Sequence, residues 1–80
     1  MEVALGLMPD SAEIYNDLGV AYKMKGLLDK AINCFERAVR LRPDYAGAYF
    51  NPGLIYKDKG MKENAEQHLR KAHDLDPSRF

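Results

Sequence analysis

His68 and His73 are the only imidazoles in the chain and Cys34 its only thiol, the side chains from which metal sites and covalent nucleophiles are built. Their spacing argues against both. The two histidines stand five residues apart in a helical stretch, so they do not share a face as an i, i+4 metal pair does, and no second cysteine or carboxylate cluster completes a ligand set. Cys34 has no base beside it in sequence and reads as a small residue next to a core. The chain contains no phosphate-cradling glycine loop, no nucleophile elbow and no paired acid and base. Catalysis, cofactors and metals are therefore not expected, and a helical array of this size offers a shallow groove rather than a water-excluding pocket.

The totals narrow the classes further. Eighty residues make one small domain with a thin core, because a chain of that length buries only about 60 to 65% of its unfolded surface. Twelve basic residues balance twelve acidic ones, which removes the electrostatic footprint of a nucleic-acid binder. No apolar run approaches the roughly 20 residues that span a bilayer, and no signal peptide is legible, so neither a nucleic acid nor a membrane is expected as a partner. One cysteine and no Asn-x-Ser/Thr acceptor make a reducing cytoplasmic setting the default.

What positions the side chains is a repeat. Pro9, Pro43 and Pro77 lie 34 residues apart, and the same shift lays Tyr15 on Tyr49, Gly19 on Gly53, Tyr22 on Tyr56, Gly26 on Gly60, Ala31 on Ala65 and Ala38 on Ala72. A fixed period of this size means stacked supersecondary units, none of which buries its apolar face alone. Tyr15, Leu18, Gly19 and Tyr22 follow the helical spacing i, i+3, i+4, i+7, predicting a helix A over roughly 11 to 25 that Asp10 caps and Gly26 ends. After that turn Leu28, Ala31, Ile32, Phe35, Ala38 and Val39 recur at helical spacing until Pro43 stops them, predicting helix B. So short a connection makes the two helices an antiparallel hairpin.

Tyr15-x-x-Leu18-Gly19-x-x-Tyr22, then Ala31-x-x-x-Phe35, then Pro43, resembles the tetratricopeptide repeat, with Tyr15 where that pattern has Trp. The resemblance covers residues 12–45 and again 46–79, while residues 1–9 look like the end of an earlier helix B. It implies an all-α fold, a right-handed α-solenoid of antiparallel helical hairpins with a concave face lined by A helices, working as a scaffold for a protein or peptide partner. Helical phase then selects the residues of that face: Asn16, Asp17, Val20, Lys23 and Met24 from the first unit, and Phe50, Asn51, Leu54 and Lys57 from the second, with Glu13, Gly47 and Asp58 beside them. Apolar residues rimmed by polar ones often mark an interaction site. The alternative reading is a fragment of the substrate-recruiting array of a larger enzyme.

Differences between the units carry further expectations. Leu28, Ile32 and Val39 of the first helix B become Lys62, Glu66 and His73 in the second, as a polar capping unit at the C-terminal end of an array requires. Ile14 and Ala21 on the first helix A need a cover, for which Val3 to Met8 is the nearest candidate and a second copy of the chain another. Pro52 stands where the first unit has Leu18. The favoured reading is a helix that continues past it with a kink; the rival has Asn51 capping a later helix after a separate turn over residues 45–50, and such a break permits helix exchange between chains.

Overall fold

The computed structural model describes residues 11–80, in which four helices follow one another with no strand. Helix α1 runs Ala12–Met24, α2 Leu28–Leu41, α3 Ala46–Asp58 and α4 Lys62–Leu75. The cap of α1 differs from expectation: it is Ser11, extended in backbone, whose Oγ accepts from the Ile14 N–H at 3.3 Å. Either Asp10 or Ser11 has the chemistry to cap, and the register of the first turn decides for the serine. Asp10 and the expected covering segment Val3–Met8 lie outside the described residues.

Both hairpin turns use the same device. Gly26 and Gly60 take φ of 82° and 81°, the left-handed region that an L side chain rarely enters. There the Leu27 N–H donates to the Tyr22 carbonyl at 2.9 Å and the Gly26 N–H to Lys23 at 3.0 Å. Met61 donates to Tyr56 at 2.8 Å and Gly60 to Lys57 at 3.1 Å in the second hairpin. These paired bonds satisfy the last carbonyls of α1 and α3 and reverse the chain within a few residues. At the other end, α2 and α4 stop one residue short of Arg42-Pro43 and Asp76-Pro77, because the residue before a proline is driven out of the helical region.

Close approach within each hairpin depends on a glycine. A Cβ added to Gly19 would lie 2.6 Å from the Phe35 ring, and one added to Gly53 would lie 2.7 Å from Leu69. With nothing in the way, Phe35 sinks between helices to zero exposure and joins Ala31, Ile32 and Ile55, with Val20, Tyr22, Leu28 and Tyr56 packed around them. A second cluster of Ala12, Ala38 and Ala48, flanked by Tyr15, Val39 and Tyr45, closes the other end. Ile55 of α3 is buried in one cluster with Ala31, Ile32 and Phe35 of α2, so α2 covers α3 across the seam between hairpins. The corresponding Lys62, Glu66 and His73 of α4 are exposed.

Helix α3 is continuous through Pro52, which overturns the reading in which Asn51 caps a later helix and residues 45–50 form a turn of their own. Proline removes the hydrogen bond to the carbonyl four residues back and crowds that turn, at about 3 kcal/mol. Burial on both flanks, with Ala48 before Pro52 and Gly53 and Ile55 after it, holds the helix together against that cost.

Candidate functional site

The first residues of α1 and α3 point into a groove of about 560 Å³. Helix α1 contributes Glu13 and Asn16; α3 contributes Gly47, Phe50 and Asn51; the link between α2 and α3 contributes Arg42, Asp44 and Tyr45. The third wall is the turn after α4, with Asp76, Arg79 and Phe80. Backbone bonds to the Asp76 carbonyl from the Arg79 and Phe80 N–H groups, at 3.2 and 3.0 Å, curl this turn inward. Phe80 then lies on Phe50, ring centroids 4.6 Å apart and tilted by 37°.

Two polar arrangements cross the floor and rim. Asn51 Nδ2 donates to Asn16 Oδ1 at 3.2 Å, which leaves the second amide proton and the carbonyl oxygen of Asn51 for a third group. Arg42 sits at the rim, Nη1 3.4 Å from Glu13 Oε2, Nε 3.9 Å from Asp44 Oδ1, and its guanidinium 5.1 Å from the centre of the Tyr45 ring. The guanidinium is half-exposed and both carboxylates mostly exposed, so these ion pairs contribute little to stability; they bias the guanidinium toward the rim. Burial, then the Glu13 and Asp17 carboxylates, push the Tyr45 phenol above its ordinary value, against the opposing pull of Arg42 and a hydrogen bond from Asn16. It remains a neutral donor throughout the physiological range.

Of the residues selected by helical phase, Asn16, Phe50 and Asn51 come together in this groove, with Glu13 and Gly47 beside them. Val20 packs against the core cluster around Phe35. Lys23 and Leu54 are half-buried outside the groove, Asp17, Lys57 and Asp58 are exposed, and Met24 is 82% exposed at the far end of α1. Sequence reasoning passed over Arg42, Tyr45, Asp76, Arg79 and Phe80. One signal was available for two of them: the 34-residue shift lays Arg42 on Asp76, so both units present a charged residue just before the proline.

Elsewhere, His68 Nδ1 lies 2.9 Å from the Asn64 carbonyl, and its ring is 5.1 Å from that of Tyr56. That histidine lines a second cavity of about 220 Å³ with Tyr49, Gln67 and Lys71, while His73 is exposed. No group of three or more His, Cys, Asp or Glu stands in position to hold a metal among the described residues. Burial pushes the Cys34 thiol up, away from the thiolate form a nucleophile needs. Among the described residues no helix is long and apolar enough to cross a membrane.

Family comparison agrees with the architecture. The Tetratricopeptide repeat model matches residues 12–45, and a second model of the same description matches residues 46–79. The chain belongs to the tetratricopeptide repeat family. Its fold is therefore an all-α solenoid of helical hairpins, and its general role that of a protein-interaction scaffold. The crystal structure of MamA is similar over 95% of this chain, with a TM-score of 0.85 and 32% sequence identity. The chain spans 44% of the length of that protein's chain. No curated protein matches it in sequence.

Proposed function

We propose that this chain is a non-catalytic tetratricopeptide module that takes an extended segment of a protein partner in the groove between the starts of α1 and α3. The observation that carries the reading is the Asn16–Asn51 pair beside the Phe50 ring. A peptide backbone offers alternating donors and acceptors, and a carboxamide can accept from one group and donate to another. Phe50 gives an apolar side chain of the partner something to bury, and Arg42, beside Glu13 and Asp44, offers charge at the rim. Interfaces draw most of their energy from such aromatic and arginine anchors.

The test is a crosslinked pull-down with the wild-type chain and with Phe50→Ala combined with Asn51→Ala. Proteins captured by the wild type and lost by the double variant support the reading; the same set of proteins with both rules out the groove. Ala21 is exposed on α1 and Ile14 half-buried, which supports self-association through that side as a second route to assembly. Light scattering that finds only monomer up to high concentration removes it.

A further inference from the structure

The ends of α1 and α3 opposite the groove form an edge whose charge the neutral total conceals. The two hairpin turns, residues 23–30 and 57–63, hold Lys23, Lys25, Lys30, Lys57, Lys59 and Lys62 against Asp29, Asp58 and Glu63. Six positive charges less three negative ones leave +3, on a chain whose net charge is zero. The turns stand side by side, since Lys59 Nζ of one reaches Asp29 Oδ1 of the other at 2.9 Å. Both project freely: nothing lies within 4 Å of a Cβ built on Gly26 or Gly60.

Among these lysines lie three of the four large apolar side chains most exposed in the described structure, Met24 at 82%, Leu27 at 43% and Met61 at 41%. Leu27 and Met61 are equivalent under the 34-residue shift, so each unit presents an apolar tip at the same place on the edge. Apolar tips ringed by cations are what a surface needs to sink a few side chains into an interface while drawing anionic headgroups to its rim. The kind of cation discriminates between partners. All five arginines lie elsewhere in the chain, whereas paired recognition of protein carboxylates favours the planar guanidinium fork. Lysine is a hydrated point charge suited to a diffuse anionic field.

We propose that this edge docks peripherally on an anionic phospholipid surface, leaving the groove open at the other end of the same helices. The neutral composition gave no reason to expect such a contact; it arises because the hairpin turns bring the lysines of both units to one side.

Flotation with vesicles of phosphatidylcholine, with and without phosphatidylglycerol, tests the proposal on the full chain. The wild type is expected to float with the anionic vesicles only, and less as salt rises. Lys25→Glu with Lys62→Glu changes the edge from +3 to −1. Near an anionic surface each charge is worth about fivefold, so that variant should bind more than about 100-fold more weakly. Met24→Ser with Met61→Ser should keep the preference for anionic lipid and lose about tenfold in affinity. Phe50→Ala, in the groove, should float as the wild type does. Circular dichroism of each variant separates loss of binding from loss of fold. Failure of the folded wild type to float at low salt overturns the proposal, as does charge-reversed protein that floats equally well. Binding of polyglutamate without vesicle binding overturns it in favour of an acidic protein partner.

Discussion

Three glycines allow the hairpin packing to be tested by substitutions that differ only in what a single methyl group meets. Replacing glycine with alanine inside a helix gains about 1 kcal/mol of helix propensity. At Gly19 the new Cβ would stand 2.6, 2.7 and 2.9 Å from three atoms of the Phe35 ring, which is fully buried and has nowhere to go. Overpacking of this kind costs about 1 to 3 kcal/mol, and the rigid neighbour places Gly19 at the upper end. The net loss is then about 2 kcal/mol. At Gly53 the Cβ meets Leu69 Cδ2 at 2.7 Å and Cγ at 2.9 Å, with His68 Cβ at 3.3 Å; Leu69 is only half-buried and can give part of the way, so a cost of about 2 kcal/mol leaves a net loss of about 1 kcal/mol. At Gly47 the nearest atom is Tyr45 Cε1 at 3.6 Å, an ordinary contact, and in this first turn alanine should stabilise by about 0.5 kcal/mol. Urea melts followed by far-UV circular dichroism give the three values. A domain of this length moves by roughly 4 to 8 °C per kcal/mol, so Gly19→Ala should melt about 8 to 16 °C below the wild type. Gly19→Ala as stable as the wild type, or Gly47→Ala as the worst of the three, refutes the reasoning.

Pro52→Ala should stabilise α3 by about 1 to 3 kcal/mol, because it restores a donor and relieves the crowded turn while leaving the flanks packed; an unchanged urea midpoint would mean that the helix has already absorbed the distortion. Asn51→Ala takes the Asn51 donor from the half-buried Asn16 Oδ1 and should cost about 1 kcal/mol, read from the same melts. Raising pH should weaken the fold through Cys34: its thiol titrates above the ordinary 9.0 in the folded chain, so the stability it contributes is complete below about pH 9 and lost as pH climbs through the folded value. Thermal melts from neutral to strongly alkaline pH should therefore fall less steeply for Cys34→Ser; identical slopes would remove the thiol as a cause.

The helices were legible because the 34-residue shift compares the chain with itself. Gly26 and Gly60 mark both turns, and Pro43 and Pro77 mark the C-terminal ends of the two B helices. Neighbouring choices of equal chemistry were not legible: Asp10 and Ser11 both cap well, and only the register of the first turn separates them. Pro52 resisted for a different reason, since local propensity argues for a break and burial of Ala48, Gly53 and Ile55 overrides it. In the groove, helical phase found Asn16, Phe50 and Asn51 because all three sit on A helices. It had no means of finding Phe80, whose place depends on a turn that folds back across sequence. Nor did phase reveal the lysine edge, which exists only once two hairpins stand side by side.

Helix α2 packs most extensively against α1, its hairpin partner, and less against α3, whereas α4 touches no helix but α3. Nearly every contact thus joins elements adjacent in the chain, and a topology so rich in local contacts belongs with those that fold in microseconds to milliseconds. Either hairpin can nucleate first, and the other can only join it by laying α3 on the Ile32 side of α2. A lesion along that single seam should therefore turn one sharp transition into two, each hairpin melting by its own clock.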